Sequence, residues 1–423
     1  MSIPLDRLYH FIENIAEEIH GSALLIYRFY PHGSKKLEDL KLAKPCSWKD
    51  TNLMPVIHCN DQEPLDFDYY DNYASSHSDT WSNILRSTSF EYCNLNLRRT
   101  LMYDKMLLIH SEQRSLNLKK YQQTNWLTIY YWSHALLSLD WFRYANHVNI
   151  VKKPIKKFLI YNRAWSGTRE YRLKFADLLI SYGLVDDCQT SISFWDQDIH
   201  YKNYKYKDTR LRPCHDLENY FKINNTPSTS SADFNINDYA NTNVEIVLET
   251  LFDDDRLHLT EKSLRPIACG QPFILAATYG SLEYLRSYGF QTFDSVIDET
   301  YDTIEDPVER LTAIVKVMQD ISNWSIDQTH EKISKLQKIA DYNKQHFFSS
   351  KFYNQIVTEL KTNVANALEE YTTTKSCKQF INFWDHLLPH SSVTEFLKIN
   401  DNEVYPTKTQ LDIVYSEAKK YNK

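Results

Sequence analysis

Residues 247–293 hold the densest set of groups suited to a phosphorylated ligand. An apolar run ends in Glu249-Thr250, an acidic loop passes through Asp253-Asp254-Asp255, and Thr260-Glu261-Lys262 then opens an amphipathic stretch with Leu264, Ile267 and Ala268 on one side. Gly270 ends that stretch, and Gln271-Pro272 turns into the next apolar run. Thr260 is the expected N-cap of the helix. A helix start presents unpaired N–H groups and the positive end of a dipole, which together favour a diphosphate. Lys262 adds a point charge in the first turn, while Glu261 and Glu249 can accept hydrogen bonds from ribose or sugar hydroxyls. The same residues also make sense as a capped helix with an incidental Glu–Lys pair.

A second set lies between residues 158 and 184. A strand breaks at Asn162-Arg163, a short polar loop carries Gly167, Thr168 and Arg169, and a helix containing Arg172 follows. In doubly wound α/β folds a strand–loop–helix unit of this kind receives a pyrophosphate. Arg163 and Arg169 are of the type that clamps one bidentately; a solvated basic helix start is the plainer alternative. A third set lies beyond the N-terminal apolar runs: His32 in a turn, Asp61, Glu63, His110, Glu112 and His134. Ligands of open parallel sheets bind outside the carboxyl ends of the strands, although each of these side chains could equally cap a turn.

The elements that position these groups follow an alternating rhythm. Leu5, Leu8, Phe11, Ile12, Ile15 and Ile19 recur at helical spacing, and Gly21 ends the helix. Short apolar runs at 23–27, 55–59, 106–110 and 127–132 read as buried strands separated by polar or helical stretches, the pattern of a parallel sheet. The basic, proline-bearing stretch 146–157 reads as a linker. A second strand series follows at 158–161, near 191–194, at 244–248 and at 272–275, and the chain is mainly helical from Pro307 onward. The expected fold is α/β: an N-terminal Rossmann-like domain over 1–150, a C-terminal one over 151–310, a cleft between them, and a helical extension over 311–423.

Composition narrows the chemistry. The chain has 423 residues, a net charge of −7 and only 7 glycines. Neither G-x-G-x-x-G nor a Walker-type P-loop occurs. No G-x-S-x-G supports serine-hydrolase chemistry. The 7 cysteines are dispersed without a C-x-x-C pair, which fits a reducing compartment and no zinc ribbon. No ligand spacing for a metal stands out, and Asp253-Asp254-Asp255 reads as a solvated loop. No signal peptide or membrane span is expected, so the expected location is cytoplasmic, the host cytoplasm if the protein is viral.

The run from Glu249 through Thr260-Glu261-Lys262 to Gly270-Gln271-Pro272 resembles the donor-site motif of α-1,3-fucosyltransferases and is similar to the wider set of GT-B-fold glycosyltransferases. The chain departs from the fucosyltransferase pattern at Thr250 and Leu251, where that family has Asn and Ser, and in loop length. The resemblance implies that Glu249, Glu261 and Lys262 contact a nucleotide-sugar donor and that a basic residue of the Arg163 loop holds its pyrophosphate. It also implies that Glu63, or Asp61, is the base that deprotonates an acceptor hydroxyl, with inversion at the anomeric carbon and no metal or other cofactor. The strings RFYPHGS, NDQEPLDFD and SHALLSLDWFRY also look like phage and marine-bacterial proteins. The acceptor is then either a glycan or a hydroxymethylated base in phage DNA. A DNA acceptor would draw on Lys35, Lys36, Arg98, Arg99, Lys119 and Lys120. The alternative expectation is a non-catalytic nucleotide-sugar or glycan-binding protein on a GT-B shell.

Overall fold

The computed structural model describes residues 5–20, 25–28, 41–42, 56–60, 63–65, 106–116, 118–119, 126–222 and 233–374. They form an α/β protein with two largely parallel sheets. Packing divides the chain into two units, one centred on His134–Ile356 and the other on Leu5–Ser133 together with the chain from Val357 onward. The expected partition at residues 150 and 310 follows the pattern of elements; the division by packing falls at His134 and Ile356.

In the Leu5–Ser133 unit the chain opens with α1 (Leu5–His20), whose Leu8, Ile12 and Ile15 are buried, as the helical spacing predicts. Five strands follow: β1 (Leu25–Arg28), β2 (Lys41–Leu42), β3 (Val56–Asn60), β4 (Met106–His110) and β5 (Trp126–Tyr130). Their order is β2-β1-β3-β4-β5, with β2 antiparallel to β1 and the other pairs parallel. Leu107, Leu108 and Ile109 are all buried, so β4 reads as a continuous apolar run and not as an alternation. That is the signature of a parallel strand covered on both faces.

The other unit begins with α2 (Ser133–Trp141), of which His134 to Leu139 are buried. A helix buried all round carries no amphipathic period, which is why only a strand is legible near it. Next come β6 (Lys156–Asn162), α3 (Tyr171–Ser181), β7 (Cys188–Ile192) and a hairpin of β8 (Trp195–Asp196) and β9 (Ile199–His200). They are followed by α4 (Ile236–Ala240), β10 (Thr242–Leu248), α5 (Glu261–Cys269), β11 (Phe273–Ala276) and α6 (Ser281–Ser287). The main sheet has the order β11-β10-β6-β7 and is parallel throughout. Its core strands contribute Leu159, Ile160, Val244, Ile246, Val247, Ile274 and Leu275, each nearly or fully buried. Burying one such side chain stabilises the fold by roughly 1.5–3 kcal/mol.

Three long helices complete the chain: α7 (Pro307–Ser322), α8 (Ile326–Phe347) and α9 (Ser350–Thr374). α7 starts on an Asp306 cap with Pro307 at its first position, and α8 on a Ser325–Gln328 capping box. α7 packs on α3 and β11, and α8 on α5. α9 leaves the His134–Ile356 unit, and its later turns belong to the other one. There Glu359 accepts from the Trp132 N–H and Asn363 donates to the Tyr130 carbonyl, capping the end of β5. Among the described residues no helix is long and apolar enough to cross a membrane.

Candidate functional site

In the His134–Ile356 unit the chain runs from β6 to β7 on one side of the sheet, then to β10 and β11 on the other. The direction of strand addition therefore reverses between β6 and β10. In open parallel sheets, ligands bind outside the carboxyl ends of the strands at such a reversal. The residues leaving β6 and β10 there are Arg163 and Glu249, both expected donor-site residues.

Glu249 is fully buried and turned inward. Its Oε1 accepts from the Thr260 N–H at 2.9 Å, the Ser263 N–H at 3.3 Å and the Ser263 hydroxyl at 2.6 Å. Its Oε2 accepts from the Thr260 hydroxyl at 2.7 Å and its own loop's Thr250 N–H at 3.0 Å. A carboxylate thus already occupies the N-terminus of α5, where the sequence predicts a diphosphate and where a negative charge is stabilised by the dipole. In this geometry Glu249 anchors the start of the helix. Burial works against its charge, but Lys262 and the Ser263 and Thr260 hydrogen bonds outweigh it and hold its carboxyl below the usual range.

Thr260 caps α5 as expected, accepting the Lys262 N–H, and Gly270 ends the helix in the left-handed conformation. The helix is locked from behind by Glu245, Arg265 and Tyr239. Arg265 reaches Glu245 at 2.7 Å and the Tyr239 hydroxyl at 3.0 Å, and that hydroxyl donates to Glu245 at 2.7 Å. The first turn is thereby fixed in place. Lys262 Nζ lies 2.7 Å from Glu261 Oε1 and 3.2 Å from the Thr260 hydroxyl oxygen. The other carboxylate oxygen of Glu261 is 3.5 Å from His134 Nδ1. Burial opposes the Glu261 charge, yet Lys262 and His134 hold its carboxyl far below the usual range. His134 in turn sets its ring edge-on to buried His258, centroids 5.4 Å apart.

The loop after β6 is equally well held. Asn162 is buried and donates to the Arg172 carbonyl. The Arg172 guanidinium binds the carbonyls of Ala164 at 2.6 Å, Leu248 at 2.6 Å and Glu249 at 3.0 Å. It ties the ends of β6 and β10 together. Asp196 Oδ2 accepts from the Trp165 and Ser166 N–H groups at 2.8 and 2.7 Å. Gly167 takes a positive φ of 68°, and its N–H donates to the Tyr204 hydroxyl. Arg163 is half-buried and lies in electrostatic reach of Arg172, Asp196 and Glu261; burial and Arg172 lower its pKa against the pull of the two acids. Arg169 ends the short 3-10 turn Gly167–Arg169, half-buried, and acts electrostatically on Tyr171.

The structure therefore brings Asn162, Arg163, Glu249, Thr260, Glu261, Lys262 and His134 into one neighbourhood. His134, expected on the acceptor side, lies 3.5 Å from Glu261, expected on the donor side. Arg172, Asp196, Ser263 and His258 complete the constellation, and no sequence signal marks them as site residues. Arg172 reads in the sequence only as a helix cation, and Asp196 and His258 lie in stretches without a recognisable spacing. Arg163 lies in electrostatic reach of Asp196 and Glu261, and Lys262 in reach of Glu249 and Glu261, while the Arg172 guanidinium is held by backbone carbonyls. Carboxylates accept the Thr260, Ser263, Trp165 and Ser166 N–H groups, and hydroxyls accept those of Lys262 and Gly167.

In the Leu5–Ser133 unit, Glu112 and His110 lie at and beyond the carboxyl end of β4 and are buried. The Glu112 carboxylate accepts from the Leu65 N–H at 2.5 Å and so pins the Glu63-Pro64-Leu65 segment. Glu63 itself is partly exposed. Burial pushes His110 down to about 3, against a weaker opposing hydrogen bond that the ring donates to the Glu112 backbone, so the ring is neutral. Asp61 and His32 lie outside the described residues, as do Lys35, Lys36, Arg98, Arg99 and Lys120; Lys119 is exposed.

The acidic loop borders an open cavity of about 360 Å³ lined by Asp253, Asp254, Asp255, Glu305 and Pro307. Asp254 is paired with Arg256 at 2.5 Å. The lining has the wrong sign for a diphosphate. Among the described residues no group of three or more His, Cys, Asp or Glu side chains is arranged to hold a metal ion.

No protein-family model matches this chain, and no curated protein matches it.

Proposed function

We propose that the chain is a nucleotide-sugar-dependent glycosyltransferase of GT-B type, with the donor bound by the His134–Ile356 unit and the acceptor by the Leu5–Ser133 unit. The observation that carries this reading is the placement of Arg163 and Lys262 at the strand-order reversal between β6 and β10. Two cations converge there on a site where an α/β sheet binds nucleotides. The resemblance of the Glu249–Pro272 run to the fucosyltransferase donor motif supports the same assignment.

In the proposed reaction an acceptor hydroxyl oxygen attacks the anomeric carbon. The bond from that carbon to the diphosphate breaks, and the hydroxyl proton passes to Glu63, or to Asp61, as general base. Arg163 and Lys262 stabilise the charge that develops on the departing nucleoside diphosphate. Glu249, Arg172 and Asp196 position those cations without touching the donor. Glu261 orients Lys262 and remains available to a ribose or sugar hydroxyl once the lysine turns to phosphate. The acceptor is a glycan or a hydroxymethylated base in DNA.

The test is release of nucleoside diphosphate from a panel of nucleotide sugars, with and without candidate acceptors. Slow release without acceptor from one nucleotide sugar, lost in Arg163→Ala, is the expected result. Donor binding without any turnover on any acceptor would leave a binding protein in place of an enzyme.

A further inference from the structure

The connection from β7 to β10 spans residues 193–241 and holds, among its described residues, only the β8–β9 hairpin, short 3-10 turns and α4. Connections in α/β units are usually short, and long irregular ones are usually functional. Between His200 and Lys222 this one carries six lysines and arginines against three acids, in a chain whose net charge is −7. The segment Tyr204-Lys205-Tyr206-Lys207 alternates: both tyrosines turn inward and both lysines are exposed. Lys202 is neutralised by Asp216 and Glu218, and Arg210 by Asp208 and Asp306. Among the described residues, Lys205, Lys207 and Arg212 make no ion pair, although the Lys207 charge reaches Asp253.

Aromatic rings accompany these charges. Trp195 is 59% exposed and Tyr220 50% exposed. The hairpin that carries Trp195 turns through Gln197 and Asp198, both non-glycine residues at positive φ, 49° and 61°. Such a conformation persists only where the surroundings hold it. Here Asp196 ties the hairpin to the N–H groups of Trp165 and Ser166. Tyr204 ties the lysine segment to the same stretch: its hydroxyl accepts from Gly167 N–H at 3.0 Å, and its ring meets Trp165 edge-on at 5.1 Å. Trp195 and Lys205 are each one residue from an anchor on Trp165-Ser166-Gly167. An exposed ring and the unpaired Lys205 and Lys207 are thereby held beside the loop that carries Arg163, with Arg212 further along the same connection.

We propose that the insertion Trp195–Lys222 is a binding surface for single-stranded nucleic acid, with Lys205, Lys207 and Arg212 on the phosphates and Trp195 stacking on a base. Cations spread over the stretch from Lys205 to Arg212 suit a polyanion better than one diphosphate, and an exposed indole suits bases, because every base has a π-face on which to stack. The surface goes beyond the donor-site reading and stands without it. A nucleic acid bound here is a partner whether or not sugar is transferred.

The test is fluorescence anisotropy of a labelled 20-nucleotide single strand titrated with the full chain at several salt concentrations. Lys205→Ala/Lys207→Ala/Arg212→Ala is compared with a charge-matched control, Lys335→Ala/Lys338→Ala/Lys351→Ala, after thermal melts confirm that both fold. On a single strand, each phosphate that the protein no longer neutralises lowers the slope of log affinity against log salt by about 0.7. The insertion variant should therefore lose about two units of slope, and the control none. Trp195→Ala should weaken binding at least 5-fold with the slope unchanged. No binding by wild type at about 50 mM salt, an insertion variant equal to the control, or full affinity in Trp195→Ala would each overturn the proposal. Nucleotide-sugar turnover is not read in this assay, so its outcome is separable from that of the donor-site reading.

Discussion

Glu249 Oε1 accepts the hydroxyl of Ser263 at 2.6 Å, so the last acid of the β10 strand end is built into the first turn of α5. This contact, with those to Thr260, makes the strand end and the helix start one rigid piece. Glu249→Ala leaves several buried donors unsatisfied at once. Each costs about 1–3 kcal/mol, so a loss of at least 3 kcal/mol is expected in urea unfolding. Glu249→Gln keeps an acceptor and should lose less. If Glu249→Ala melts like wild type, the carboxylate is not the anchor of the helix.

His110 gives a pH dependence whose sign follows from its burial. Its folded pKa, about 3, lies below the unfolded value of about 6.5. The unfolded chain therefore binds one more proton between those values. The stability that the neutral ring allows is fully present above about pH 6.5 and is lost as pH falls towards 3. A urea series from pH 7 to pH 4 should show a shallower decline in His110→Gln than in wild type. Parallel declines would mean that the ring is not held neutral.

The carboxylate proposed as base separates turnover from donor binding. Glu63→Gln keeps size and hydrogen bonding but cannot take a proton. It should lower turnover roughly 10²–10⁴-fold with donor affinity unchanged. Asp61→Asn is the companion variant. Loss in Asp61→Asn with near-full turnover in Glu63→Gln would exchange the two roles.

Transfer should persist in EDTA, because in the proposed reaction Arg163 and Lys262 supply the positive charge at the leaving group. Chelation that abolishes transfer, with recovery on added manganese, would move the phosphate site towards the acidic residues Asp253 and Asp255.

Much of the parallel-sheet framework is legible in the sequence because buried strands write themselves as short apolar runs. Met106–His110 is legible to the residue, and β3, β10 and β11 within two. The Thr260 cap and Gly270 stop of α5 are legible because capping chemistry is local. The direction of Glu249 is not. A strand-end acid can face a ligand or the next helix, and only the Thr260 and Ser263 partners decide between them. The contact of His134 with Glu261 escapes for a related reason: Glu261 lies over a hundred residues away, and α2 is buried on all sides. The β8–β9 hairpin turns on Gln197-Asp198 without a glycine, so the usual turn signal is missing.

The proposed donor site is tested most directly by calorimetric titration of the wild type, Arg163→Ala and Lys262→Ala with nucleoside diphosphates and the matching monophosphates. A charge-assisted hydrogen bond contributes about 1.5–3 kcal/mol, so each variant should bind its preferred diphosphate at least 10-fold more weakly. The wild-type preference for diphosphate over monophosphate should shrink in both. Wild-type protein that binds no nucleoside diphosphate, or variants that bind it as tightly as wild type, would contradict the assignment.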